Sequence, residues 1–125
     1  THKASGLLSV AGCKPELADW LDRLGPFGSG NPEPRFVIPD CRIKSIKFVG
    51  ERGAHLACRI DDGSGTINAI AFQAGGSPLG KAVSDACDAQ YLHFLGRIRR
   101  DFFRGGNAMQ FEIDDVAVPP LAFAR

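Results

Sequence analysis

Long apolar runs are missing from this 125-residue chain, and no stretch approaches the roughly 20 residues that a membrane-crossing helix needs. Charge of one sign is scarce as well. A formal net charge of +1 gives no overall pull toward an anionic partner, so only the distribution of charge can be informative. Closely spaced cysteines are lacking: Cys13, Cys41, Cys58 and Cys87 stand well apart, with no CxxC pair and no histidine at ligand spacing. That speaks against structural zinc and predicts four reduced thiols. There is no phosphate loop, no GxSxG, no paired aspartate and histidine motif and no carboxylate cluster at metal spacing. Asp61 with Asp62 sits in a turn, and Asp114 with Asp115 near a strand end. No catalytic residue, metal or cofactor is therefore expected within this chain.

What is present fits one globular domain with a real core, at 44% hydrophobic and 23% charged residues. The opening THKASGLLSVAGC carries little positive charge and only a glycine-broken apolar run, which fits a domain fragment better than a signal peptide. The expected location is cytoplasmic, with no membrane partner.

Residues 25–36, GPFGSGNPEPRF, hold three glycines and three prolines in twelve positions. Such a segment is neither helix nor central strand, because proline lacks a donor and glycine lacks restraint. It reads as a joint. Before it, KPELADWLDRL places Leu17, Trp20, Leu21 and Leu24 at i, i+3, i+4 and i+7, an apolar stripe with Glu16, Asp19, Asp22 and Arg23 toward solvent. Pro15 opens this helix, and Gly25 with Pro26 ends it. So short a helix is not stable alone, which predicts that its Trp20 stripe docks on the later domain or on one outside the chain.

After the joint, strand signals recur closely. Residues 41–49 (CRIKSIKFV) carry Ile43, Ile46 and Phe48, and the change of parity predicts a bulge near Lys44 and Ser45 that curls the strand. Residues 55–60 alternate Leu56, Cys58 and Ile60 with His55, Ala57 and Arg59. The hairpin turn DDGSG leads into 66–73, TINAIAFQ. Ser77 and Pro78 start a short helix to about residue 86. Residues 90–100 alternate Leu92, Phe94 and Ile98 with His93, Leu95, Arg97 and Arg99, and Gly96 marks a bend. The loop DFFRGGN precedes a last strand at 108–116, with Met109, Phe111 and Ile113 on one face.

Five short strands with a helix between the third and fourth predict a mainly β chain folded as a five-stranded OB-fold, a Greek-key barrel, preceded by one amphipathic helix. A β-sandwich is the competing architecture, but it wants about seven strands. The expected division is 1–24 as the tail of a preceding domain with its connecting helix, 25–36 as the joint, 37–118 as the barrel and 119–125 as a tail.

On such a barrel the second and third strands and the flanking loops form the oligonucleotide face. Parity assigns His55, Arg59, Thr66, Asn68 and Phe72 to it, beside Ala57 and Ile70. The loops add Arg52 and Arg104, and the second presents Phe102 and Phe103. The densest basic run is RIRRDFFR, with Arg97, Arg99, Arg100 and Arg104, and Lys44 and Lys47 extend it. Cations along a groove with stacking rings suit single-stranded nucleic acid. The alternative for each arginine is an ordinary solvent-facing strand residue, and Phe72 could equally pack at the barrel end.

GPFGSGNPEPRF resembles the PFGxGNPxPxF signature that precedes the C-terminal OB domain of the RecJ family of single-stranded-DNA-specific exonucleases. HLACRIDDGSGTINAIAF resembles the second and third strands of that domain, and HKASG, from His2, the end of the GGHxxAAG motif of the domain before it. The resemblance covers about 17–118. It implies a 5′→3′ exonuclease of recombination and repair that uses Mg or Mn held by domains outside this chain. It also implies single-stranded DNA, the remaining nuclease polypeptide and single-stranded-DNA-binding protein as partners. A structural or protein-interaction OB domain, or an RNA-binding one, remains the alternative.

Overall fold

The computed structural model describes residues 4–28, 30–87, 89–101 and 108–119. Six strands and two helices follow in order: β1 (Gly6–Leu7), α1 (Pro15–Leu24), β2 (Phe36–Val49), β3 (His55–Asp61), β4 (Thr66–Ala71), α2 (Pro78–Ala86), β5 (Leu92–Arg100) and β6 (Met109–Ala117). The sheet runs β1-β2-β3-β4-β6-β5, and a further pairing of β2 with β5 closes the last five strands into a ring. All pairings within the ring are antiparallel except β4 with β6. This is the expected five-stranded Greek-key barrel with its helix between the third and fourth barrel strands, and a single closed ring excludes the sandwich.

Closure depends on β2. Its first half pairs with β5, from Phe36 opposite Gly96 to Cys41 opposite Leu92, and its second half pairs with β3, from Arg42 opposite Asp61 to Val49 opposite His55. The ladder is irregular between Ile43 and Ser45, where the bulge was expected. β2 begins five residues earlier than its sequence pattern suggested. Pro39 reads as a breaker, yet it falls in a second irregularity between Ile38 and Cys41, where the ladder requires no donor from it. There Asp40 takes a positive φ of 55°, and its N–H donates to His93 Nδ1 at 3.1 Å.

The core follows the alternation read from the sequence. Leu56, Cys58 and Ile60 from β3, Ile67, Ala69 and Ala71 from β4, Leu92, Phe94 and Ile98 from β5, and Met109, Phe111 and Ile113 from β6 are buried. Val83 and Ala86 of α2 close one end, and Ser77 caps that helix by accepting the Gly80 N–H. Phe48 departs from expectation: its parity points inward, but it lies at the barrel end and is 46% exposed. Burial pushes the Cys58 thiol up to about 12, and that of Cys13 likewise, so neither is a ready nucleophile.

Residues 5–13 lie along the barrel. β1 pairs in parallel with the start of β2, a strand too short for any sequence period to reveal. The following turn is pinned to the β3–β4 hairpin, with Val10 N–H donating to Asp62 Oδ2 at 2.9 Å and Ala11 N–H to Ser64 Oγ at 3.0 Å. Of the two docking surfaces expected for the stripe of α1, the barrel takes Leu21 together with Ala18, while Trp20 and Leu24 are 60% and 52% exposed. Asp19 and Asp22, expected in solvent, reach Arg100 instead.

Candidate nucleic-acid interface

Strand register defines two rows of outward side chains that run around the barrel. One passes from Ser45 through Arg59, Asn68 and Gln110 to Arg99. The other passes from Lys47 through Ala57, Ile70 and Glu112 to Arg97. The rows have different electrostatic character at their two ends.

At the β5–β6 end the cations are matched by carboxylates. Arg97 Nη2 donates to Glu112 Oε1 and Asp114 Oδ1, both at 3.0 Å, and its Nη1 lies 3.7 Å from Glu33. Arg99 donates to both oxygens of Glu33, at 2.5 and 2.9 Å, and through Nε to Glu112 at 3.2 Å. Arg35 Nε meets Asp114 Oδ2 at 2.8 Å, and Arg100 pairs with Asp19 and Asp22. Four guanidiniums thus face five carboxylates: Asp19, Asp22, Glu33, Glu112 and Asp114. Burial pulls the Arg99 guanidinium down, but Glu33 and Glu112 outweigh it and hold the group above its ordinary value. Among the described residues of this end the guanidiniums are outnumbered by the carboxylates they face. Arg97, Arg99 and Arg100 of the basic run form an internal clamp, and its partners were hidden because they lie as far as 81 residues away.

The clamp also explains residues 25–36. Glu33 and Arg35 fasten the segment to β5 and β6, while Asn31 Nδ2 donates to the carbonyls of Leu24 and Pro26 at 2.9 and 3.0 Å, closing the end of α1. The segment that reads as a joint is a strap against the barrel wall.

At the β2–β3–β4 end the balance of charge differs. Among the described residues Lys44, Lys47, Arg52 and Arg59 form no ion pair. A groove of about 270 Å³ crosses this face between Ser45, Lys47, Arg59, Asn68 and Gln110, with the buried Asp101 also in its wall. Arg59 lies flat across the two strands, Nη1 donating to Asn68 Oδ1 at 2.9 Å and Nη2 to Thr66 Oγ1 at 2.6 Å. A second cavity of about 300 Å³ continues past Arg59 and Asn68 toward Thr66, Met109, Val10 and Cys13. Sequence reasoning missed Ser45, Gln110 and the wall formed by residues 10–13. Gln110 shares the parity of Glu112 and could have been found that way, whereas the wall depends on long-range hydrogen bonds.

At the far rim Phe72 is 53% exposed and packs edge-on to His55, ring centroids 5.3 Å apart. His55 Nδ1 accepts the Gln73 N–H at 3.0 Å, which fixes the imidazole beside the ring. Arg52 stands in the β2–β3 turn at φ 56°, between Gly50 and Gly53, which also have positive φ. Phe102, Phe103 and Arg104 lie outside the described residues, as does His2. Among the described residues no three histidine, cysteine or carboxylate side chains gather as metal ligands.

A closed five-stranded barrel with a groove holding Lys47 and Arg59 over its second and third strands, and an exposed Phe72 at the rim, defines an OB-fold domain with a candidate oligonucleotide face. The chain belongs to the RecJ OB domain family, whose model matches residues 5–115. Among solved structures it is similar to RecJ from Thermus thermophilus in complex with Mn2+, at 26% identity and a TM-score of 0.66, covering 94% of this chain and 16% of that one. The same RecJ in complex with Mg2+ matches with the same identity and TM-score, with 17% of that chain covered. The chain thus spans about one sixth of those proteins. A replication protein A heterotrimer bound to single-stranded DNA shares the fold at 13% identity and a TM-score of 0.51, covering 69% of this chain and 57% of that one. No match is found among curated proteins. No helix among the described residues is long and apolar enough to cross a membrane.

Proposed function

We propose that this chain is the single-stranded-DNA-binding domain of a RecJ-like 5′→3′ exonuclease that acts in recombination and repair in the cytoplasm. The observation that carries the reading is the split in charge: among the described residues Lys47 and Arg59 in the groove, and Lys44 and Arg52 on the same side of the barrel, form no ion pair, whereas Arg97, Arg99 and Arg100 are paired with carboxylates. Unmatched cations in a groove release counterions when they meet phosphates, and a half-exposed ring such as Phe72 can stack on any base. Membership of the RecJ OB domain family supports DNA as the ligand. The catalytic groups and the divalent metal of the parent enzyme then belong to other domains, and the partners are single-stranded DNA, the rest of the nuclease and single-stranded-DNA-binding protein.

Labelled oligo-dT binding across a salt series tests this. With four phosphate contacts at about 0.7 each, log K is expected to fall against log salt with a slope of roughly −3. Binding that is absent at low salt, or independent of salt, defeats the proposal. Competition by oligo-U equal to that of oligo-dT favours the RNA-binding alternative.

A further inference from the structure

Arg59 differs from Arg35, Arg97, Arg99 and Arg100 because its side-chain hydrogen bonds go to neutral partners. Those four lie against carboxylates, but Arg59 is held by the Thr66 hydroxyl and the Asn68 side-chain carbonyl. A neutral acceptor orients a guanidinium without cancelling its charge. Of its five N–H donors two are used, one on each terminal nitrogen, so three remain for a ligand. Arg59 and Asn68 also line both cavities of this face, so the two grooves meet at this guanidinium.

We propose that Arg59 is the seat of one backbone phosphate of the bound strand, that Thr66 and Asn68 are positioning residues for it, and that the strand crosses from the Lys47 groove to the cavity beside Val10 and Cys13 over this point. The inference rests on the single-stranded-nucleic-acid reading above and deepens it. It assigns Asn68 to Arg59 and not to a base edge. A preset guanidinium loses less side-chain freedom on binding and offers its planar fork to phosphate at once, which a lysine cannot do. The path also accounts for the wall of residues 10–13: the hydrogen bonds that Val10 and Ala11 donate to Asp62 and Ser64 hold that wall where the strand leaves the sheet.

The test compares four proteins, all as the full chain, in oligo-dT binding at several salt concentrations, with thermal unfolding as a control. Thr66→Val with Asn68→Leu removes both acceptors and no cation, so affinity is expected to fall five- to tenfold at an unchanged salt slope. Arg59→Ala is expected to lower affinity further and to flatten the slope by about 0.7, the share of one phosphate contact. Arg59→Lys keeps the charge, so the slope is expected to hold while affinity falls. Wild-type affinity in the Thr66/Asn68 variant, or an unchanged slope in Arg59→Ala, overturns the proposal while leaving DNA binding by the domain intact. If the unaltered chain shows no salt-dependent binding, the functional reading falls and this one with it.

Discussion

Glu33 grips Arg99 with both carboxylate oxygens, at 2.5 and 2.9 Å, across 66 residues of chain. This bidentate pair fastens the proline-rich strap to β5, and with Arg97 it forms a partly buried network. Exposed ion pairs contribute little, but stripping one partner from a shielded network leaves like charges together. Arg97→Ala leaves Arg99 alone between Glu33 and Glu112 and Arg35 alone on Asp114, and is expected to cost about 2 kcal/mol. Thermal unfolding should record a Tm loss of several degrees, with oligo-dT affinity within twofold of the parent chain. A large affinity loss without a Tm change would mean that this cluster meets DNA after all.

Lys44→Ala with Lys47→Ala should do the reverse. Both side chains are exposed and unmatched, so Tm is expected to move by less than about 0.5 kcal/mol equivalent, in keeping with surface substitutions. The salt slope of oligo-dT binding is expected to flatten by about 1.4, two contacts' share. Fluorescence anisotropy at four or more salt concentrations resolves such a change.

Phe72→Ala removes a ring whose only described aromatic contact is the edge of His55. If the ring stacks on a base, the loss in binding is about 1 to 3 kcal/mol, with little loss in stability. Unchanged binding with a marked fall in Tm would assign Phe72 to packing.

Gly96→Ala tests the bend in β5. A Cβ there would collide with the Glu112 carbonyl oxygen and the Phe111 ring, at the register shift between Leu95 and Gly96. The blocked atom is backbone of a paired strand and cannot move aside cheaply, so a loss of about 3 kcal/mol or more is expected in denaturant unfolding.

Acid should loosen the wall of residues 10–13. Burial raises the Asp62 carboxyl, but hydrogen bonds from the Ser64 hydroxyl and from the Val10 and Ser64 N–H groups prevail and hold it below its ordinary range. A carboxyl depressed in the folded state lends stability that is present above its unfolded pKa and lost as pH falls through the folded value. Hydrogen exchange at the Val10 and Ala11 amides is therefore expected to quicken as pH drops below about 4, after correction for intrinsic rates. Asp62→Asn should show that looseness already at neutral pH.

Strand alternation, the hairpin turn, the α2 cap and the first bulge were legible because each is written within ten residues: Leu56, Cys58 and Ile60 alternate, and Ser77 precedes Pro78. The sites of charge compensation were not. Nothing near Arg97 or Arg99 announces Glu33, and nothing near Asp19 announces Arg100. The same limit applies to α1, where periodicity found the buried Leu21 but could not show that Asp19 and Asp22 also reach Arg100 while Trp20 and Leu24 stay exposed. For the interface, parity placed Arg59 and Asn68 side by side, as the register has them, whereas a count of basic residues could not show that Arg97, Arg99 and Arg100 are paired with carboxylates.

Because β2 serves both β3 and β5, the barrel has no autonomous half. Phe36 meets Gly96 about 60 positions on, and holding such ends together costs ~3.6 kcal/mol of loop entropy before any contact repays it. The β2–β3–β4 meander can pair locally, yet it stays an open sheet until β5 arrives, so closure is expected to be the slow, cooperative step of folding, on a scale of milliseconds to seconds.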